Sequence, residues 1–187
     1  MRNTAAVGLV VLMTPALAFA QDLSPYLLIS AADASALERQ MQTATREGFR
    51  FSAISGDATP AGGKEVLVVM RQDPSSTGVE YRVVTAASTA AVAALQQASD
   101  DGFAYVAQTV FRSPIKGNQV AVLFERDPAA HPQPKSRYQL LVTKRIATMR
   151  TELDQASHNG YHVLGLTVGK TLIGLNDIVA VLSRPGD

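Results

Sequence analysis

Cysteine and tryptophan are both missing from this chain, aromatic residues make up 6% of it, charged residues 18%, and only three histidines occur in 187 residues. Without cysteine there can be no disulfide, no thiolate zinc or iron–sulfur site and no cysteine nucleophile. An excess of one charge sign is also missing. Lys+Arg number 17 and Asp+Glu 16, which excludes a polybasic nucleic-acid binder. Long apolar runs are confined to the first twenty residues. The rest is rich in Val, Leu and Ala, with 47% apolar residues overall, too apolar for a disordered tail. The length suits one domain or a few very small ones.

The N-terminus has the form of an export signal. Arg2 supplies a positive start, Ala5 to Leu17 is apolar apart from Thr14 and Pro15, and Ala18-Phe19-Ala20 places small residues where a signal peptidase reads them. The run is too short for a membrane span, which needs about 20 apolar residues. Cleavage after Ala20 is therefore predicted, with no transmembrane segment afterwards and a periplasmic or secreted location. No cysteine stands at the cleavage point to take a lipid. Losing Arg2 leaves equal numbers of basic and acidic residues, which argues against steering to DNA or anionic lipid. In an oxidising compartment, packing alone must then hold the fold.

The remaining chain is one unit written three times: residues 21–75, 76–130 and 131–187. Each copy opens on a tyrosine in an apolar run, at Tyr26, Tyr81 and Tyr138. Each reaches a glycine–aromatic pair, at Gly48-Phe49, Gly102-Phe103 and Gly160-Tyr161. Each ends in a β-rich run starting at Glu65, Gln119 or Asp177, 17 residues beyond its glycine in every copy. Independent segments would not keep that register.

Every copy reads as strand, helix, strand, strand, an α+β unit. Counting back 4, 7 and 11 residues from the glycine gives Ala44, Met41 and Leu37, then Ala98, Leu95 and Ala91, then Ala156, Leu153 and Met149. Those offsets share one helix face, which should lie on the sheet. Ser35 to Glu38 has the spacing of a capping box, with Asp33 and Ser88 as alternative N-caps. Gly48, Gly102 and Gly160 sit where a helix closes in a left-handed residue, a conformation glycine adopts without penalty. A unit of about 50 residues buries too little surface to be stable alone. The three should pack as one pseudo-symmetric assembly, around a threefold axis or as a continuous sheet. Were the first two strands of a unit parallel neighbours, their helical crossover would be right-handed. The connector containing His131-Pro132-Gln133-Pro134 should be stiff and extended.

The order of tyrosine-led strand, helix, glycine–aromatic turn and closing strand resembles a short bacterial domain of unknown function, one Tyr-x-x-Val-Val unit of some fifty residues with Glu-Gly-Trp-Glu-Leu-Val at the turn. The matching stretches are Glu47-Gly48-Phe49-Arg50-Phe51, Asp101-Gly102-Phe103-Ala104-Tyr105 and Asn159-Gly160-Tyr161-His162-Val163. Tryptophan is absent here, and only Glu47 keeps the glutamate before glycine. The resemblance implies a structural motif and brings no catalytic residue.

Motifs of chemistry are few. Ser113-Pro114-Ile115-Lys116 has the Ser-x-x-Lys spacing of penicillin-recognising enzymes, but Pro114 and Gly117-Asn118 make it a hairpin tip rather than a helix start. Gly165 to Thr171 has three residues between its glycines where a phosphate loop has four, and a strand follows where a helix is required. His158 and His162 have the i, i+4 spacing of a metal pair, yet Gly160 ends the helix between them. No metal, cofactor or catalytic residue is assigned. The copies differ most in the loops Ser55 to Lys64, Thr109 to Asn118 and Thr167 to Asn176, the last two carrying Arg112, Lys116 and Lys170. Variable loops on a repeated scaffold are where function sits. The reading is a noncatalytic exported repeat protein that binds a protein or envelope component through hairpin loops or sheet edges. An enzyme with a site between repeats, using groups such as His158, Asp154 or Arg184, is the alternative. Self-association through unpaired edges is a third possibility.

Overall fold

The computed structural model describes residues 24–58, 64–76, 78–86, 90–113, 117–130, 133–170 and 176–186. Each repeat folds as strand, helix, strand, strand. Unit 1 comprises β1 (Tyr26–Ala31), α1 (Ala34–Arg46), β2 (Phe49–Ala58) and β3 (Lys64–Gln72). Unit 2 comprises β4 (Glu80–Ala86), α2 (Ala90–Asp100), β5 (Ala104–Ser113) and β6 (Gly117–Arg126). Unit 3 comprises β7 (Ser136–Thr143), α3 (Ile146–His158), β8 (His162–Lys170) and β9 (Asn176–Pro185).

Three separate antiparallel sheets result, with strand orders β1-β3-β2, β4-β6-β5 and β7-β9-β8. The last two strands of a unit pair as a hairpin, and the free edge of the third strand accepts the first. First and second strands are thus parallel but not neighbours, and the helix between them crosses over the third. All three sheets shift register at one place, between Phe51 and Ala53, Tyr105 and Ala107, and Val163 and Gly165. The extra residue lies four positions past the helix-ending glycine each time. Such a bulge bends its strand and re-aims the side chains beyond it.

The helix faces follow the periodicity. Leu37, Met41 and Ala44, then Ala91, Leu95 and Ala98, then Met149 and Ala156 are buried, with Leu153 packed beside the last pair. Gly48, Gly102 and Gly160 have φ of 81°, 84° and 78°. In α2 and α3 the turn closes with two bonds: Gly102 N to the Ser99 carbonyl and Phe103 N to that of Ala98, then Gly160 N to Ser157 and Tyr161 N to Ala156. That pairing satisfies carbonyls left over at a helix end. Asp33 is the N-cap of α1, its carboxylate accepting from Ala36 N at 2.8 Å. Glu38 does not close a capping box; its carboxylate accepts from Val83 N of the next unit. Ser88 lies outside the described residues.

The closing arginine also acquires a reason. Arg126 lies over the Phe103 ring at 4.6 Å and donates to the Asp101 carbonyl at 2.8 Å. In unit 3 Arg184 lies over Tyr161 at 5.1 Å and donates to the Asn159 carbonyl at 3.3 Å. Cation–π attraction and an orphan carbonyl tie the last strand to the helix end.

The units stack in series, neither as one continuous sheet nor closed around an axis. Helix α1 contacts β1 and β2 of its own unit and β4 of the next, α2 contacts β4 and β7, and β5 lies against both β2 and β8. Two of the three core clusters therefore span a junction. One joins the α1 face and Val66, Val68 and Met70 to Tyr81, Ala121 and Leu123 of unit 2. The next joins Leu95, Val122 and Phe124 to Tyr138, Val179 and Val181 of unit 3. Each fully buried large apolar side chain contributes roughly 1.5–3 kcal/mol, so the shared layers supply what a lone unit lacks. Among the described residues, no helix is long and apolar enough to cross a membrane.

Candidate functional site

The two junctions follow one plan, and that plan defines the surfaces left over at the ends. Every unit shows two faces. The front carries its helix. The back carries its tyrosine, the residue two places on, and two residues of its third strand. At the first junction the back of unit 2, with Tyr81, Val83, Ala121 and Leu123, covers α1. At the second the back of unit 3, with Tyr138, Leu140, Val179 and Val181, covers α2.

Polar contacts repeat as well. Gln42, six residues before its glycine, donates to the Val79 carbonyl at 3.2 Å and accepts from Tyr81 N at 3.3 Å. Gln96, at the same offset, donates to the Ser136 carbonyl at 3.0 Å and accepts from Tyr138 N at 3.4 Å. A side-chain amide carries both a donor and an acceptor, so each Gln pairs with the outer strand of the next unit as a neighbouring strand would. The tyrosine hydroxyls reach back. Tyr81 accepts from Phe51 N at 2.8 Å and donates to Glu125 at 2.8 Å, and Tyr138 accepts from Tyr105 N. Phe51 and Tyr105 both directly precede the bulge. Burial pushes the Tyr81 and Tyr138 phenols above their ordinary range, with amide donation pulling the other way. Tyr105 is pushed up to about 12, mainly by burial. Close backbone approach completes the junctions: a Cβ on Gly56 would lie 2.0 Å from the Val110 carbonyl oxygen, and one on Gly165 2.1 Å from the Tyr105 hydroxyl.

At the ends these surfaces are open. Tyr26 and Leu28, the unit 1 equivalents of Tyr81 and Val83, are 56% and 65% exposed, whereas Tyr81 is 3% exposed. At the other end Ile146, Leu166 and Val168 are 73%, 56% and 63% exposed. They border a groove of about 540 Å³ floored by Met149, Leu153 and Ile178, with Arg150 and Asp154 on its rim. The unit 1 counterparts of Met149, Leu153 and Ile178 are Leu37, Met41 and Val66, which unit 2 covers.

A second hollow, of about 370 Å³, lies at the first junction, lined by Arg50, Tyr105, Glu125, Arg126 and Gln133 among others. Arg50 is ion-paired to Glu125, and that carboxylate holds the guanidinium above its ordinary range. Arg126 is paired to Glu80, and Arg82 to Asp101 at 2.5 Å, which lowers the Asp101 carboxyl.

Residues singled out in the sequence are dispersed. Arg112 lies in β5 opposite Asn118, and Lys170 ends β8 opposite Asn176, so both belong to hairpin ends. Lys116 lies outside the described residues, as do His131 and residues 59–63 and 171–175 of the hairpin loops. Ser113 ends β5, and Gly165 to Lys170 lie in strand β8. Asp154 borders the unit 3 groove. His158 is exposed, its Nδ1 2.7 Å from the Asp154 carbonyl, and Arg184 is engaged with Tyr161. Neither lies at a junction between units. His158 ends α3 and His162 begins β8, with Gly160 between. Among the described residues, no group of three or more His, Asp or Glu is placed to hold a metal ion.

Sequence reasoning missed Gln42, Gln96 and the open faces at the two ends. The shared offset of the glutamines, six before glycine, was a readable signal. Compared with known proteins, the chain matches no family model, no curated protein and no solved structure.

Proposed function

We propose that this is an exported, noncatalytic repeat protein that works as a binding module for a protein or a component of the cell envelope, with the groove face of unit 3 as its contact surface. The observation that carries the reading is the apolar groove between α3 and β8, whose counterparts in units 1 and 2 are filled by a neighbouring unit. A face built to receive a sheet, left open at the end of the stack, favours docking over chemistry. Export rests on the Arg2 to Ala20 pattern. The hairpin ends bearing Arg112, Lys116 and Lys170 are the competing contact surface.

The test is a crosslinked pull-down from the native periplasm with three baits: wild type, the Ile146→Asp, Val168→Asp double variant, and a variant with Arg112, Lys116 and Lys170 all changed to Ala. A captured component lost only with the groove variant supports the reading. Loss only with the triple variant moves the contact to the hairpins and overturns the groove assignment. An interface enzyme would use the hollow at the first junction. A small molecule that raises the melting temperature of wild type but not of Arg50→Ala would favour it.

A further inference from the structure

We infer that the open groove of unit 3 receives the open back face of unit 1 from a second copy of this chain, giving head-to-tail association. This rests on the groove being a contact surface and names its occupant. The argument is continuity with an interface that the chain already makes twice. Inside the protein, a front face meets a back face between units 1 and 2 and again between units 2 and 3. Among the described residues, nothing covers the front of unit 3 or the back of unit 1, so a second copy supplies the next unit in the series.

The parts correspond residue by residue. Tyr26 and Leu28 stand where Tyr81 and Val83, and Tyr138 and Leu140, fill the internal junctions. Leu67 and Val69 lie on β3 opposite Ser30 and Leu28, as Ala121 and Leu123 lie opposite Thr85 and Val83. On the receiving side, Met149, Leu153 and Ile178 repeat Leu37, Met41 and Val66. Val163, directly before the bulge, stands where Phe51 and Tyr105 give their amides to the incoming tyrosine. Tyr26 of the second copy would accept from it.

One part differs. At the offset of Gln42 and Gln96, six before the glycine, α3 has Asp154. A carboxylate accepts a hydrogen bond but offers no donor, so it can take Tyr26 N and cannot pair with the Ser24 carbonyl. The external contact keeps the apolar fit and loses half of the polar one. It is therefore weaker than the internal junctions and reversible. Such a contact is heterologous and produces open chains unless its rotation closes a ring.

The test is sedimentation of the processed protein, expressed from the full-length chain, from micromolar to millimolar concentration. Wild type should shift from monomer to dimer and longer species. Leu28→Asp and Leu166→Asp change exposed positions at opposite ends, and each alone should abolish the shift. Mixed in equal amounts they should recover a dimer and nothing longer, because each retains one intact end. Asp154→Gln should restore the donor and lower the association midpoint about tenfold, the effect of one added hydrogen bond. The inference is overturned if wild type and Asp154→Gln both stay monomeric throughout, or if Leu28→Asp associates as wild type does, which would mean groove-to-groove pairing. A monomeric wild type whose groove variant still loses a captured partner refutes the second copy alone and leaves the binding reading standing.

Discussion

Replacing Gln96 by methionine tests whether a side-chain amide standing in for a strand holds the units together. Methionine keeps the length and helix preference of glutamine, so the change removes hydrogen bonds and little else. Two contacts to unit 3 are lost, to the Ser136 carbonyl at 3.0 Å and from Tyr138 N at 3.4 Å. The bond to Asp100 at 3.3 Å is exposed and contributes little. A net value of about 1 kcal/mol for each of the two bonds gives a loss of about 2 kcal/mol. That should lower the urea midpoint by about 1 M for a slope of about 2 kcal/mol/M. Gln97 is the control. It lies one residue on, and its side chain bonds to Asp101 on the exposed side, so Gln97→Met should stay within about 0.5 kcal/mol of wild type. Amide hydrogen exchange adds a local readout, because Tyr138 N should lose protection in the Gln96 variant alone. Equal midpoints for the two variants would refute the strand-mimic account.

Two further expectations concern glycine and tyrosine. Gly102→Val should destabilise by at least about 1 kcal/mol through its left-handed backbone alone, since the nearest atom to a new Cβ is Arg126 Cδ at an ordinary 3.6 Å. Gly56→Ala should cost more, because its Cβ would lie 2.0 Å from a backbone oxygen; thermal melts that rank the two the other way would refute the close-packed β2–β5 contact. Tyr81, Tyr105 and Tyr138 all have raised phenol values, so their stabilisation is present below the unfolded value of about 10 and is lost as pH rises through the folded values. Tyrosinate absorbance should show a step near pH 12 that Tyr105→Phe removes; no loss from that substitution would refute the burial of this phenol.

Local structure was legible in the sequence because it depends on spacing within one unit. The apolar offsets before each glycine identified the buried helix faces, and Gly48, Gly102 and Gly160 marked the helix ends. Strand order was not legible, since nothing in residues 26–31 says which edge of a hairpin they join. Capping was half legible. Asp33 acts as the N-cap, but Glu38 is drawn away to Val83 in the next unit, a contact that no pattern within one copy could reveal. Serial stacking depends on a long-range fit of the same kind. Its trace in the sequence was the exchange Gln42, Gln96, Asp154 at one offset, informative only once the glutamines were seen to face a strand.

Among the described residues, the outer faces of units 1 and 3 differ from those usual at the ends of a repeat array. A terminal repeat generally needs a polar outer face, because it has no neighbour to cover it. Unit 1 instead retains Tyr26 and Leu28 on its outer face, and unit 3 retains Ile146, Leu166 and Val168. What changes at the receiving end is the polar partner, from an amide to the carboxylate of Asp154. Removing the donor while keeping the apolar surface penalises indefinite growth and leaves the surface able to dock, since an unpaired carbonyl costs most where it would be buried. If the apolar residues were mere remnants of duplication, replacing Leu28 and Leu166 together by Asp would cost the protein nothing beyond surface composition. If they are a docking pair, that variant should keep its melting temperature and lose its association, and the separation of those two properties distinguishes the explanations.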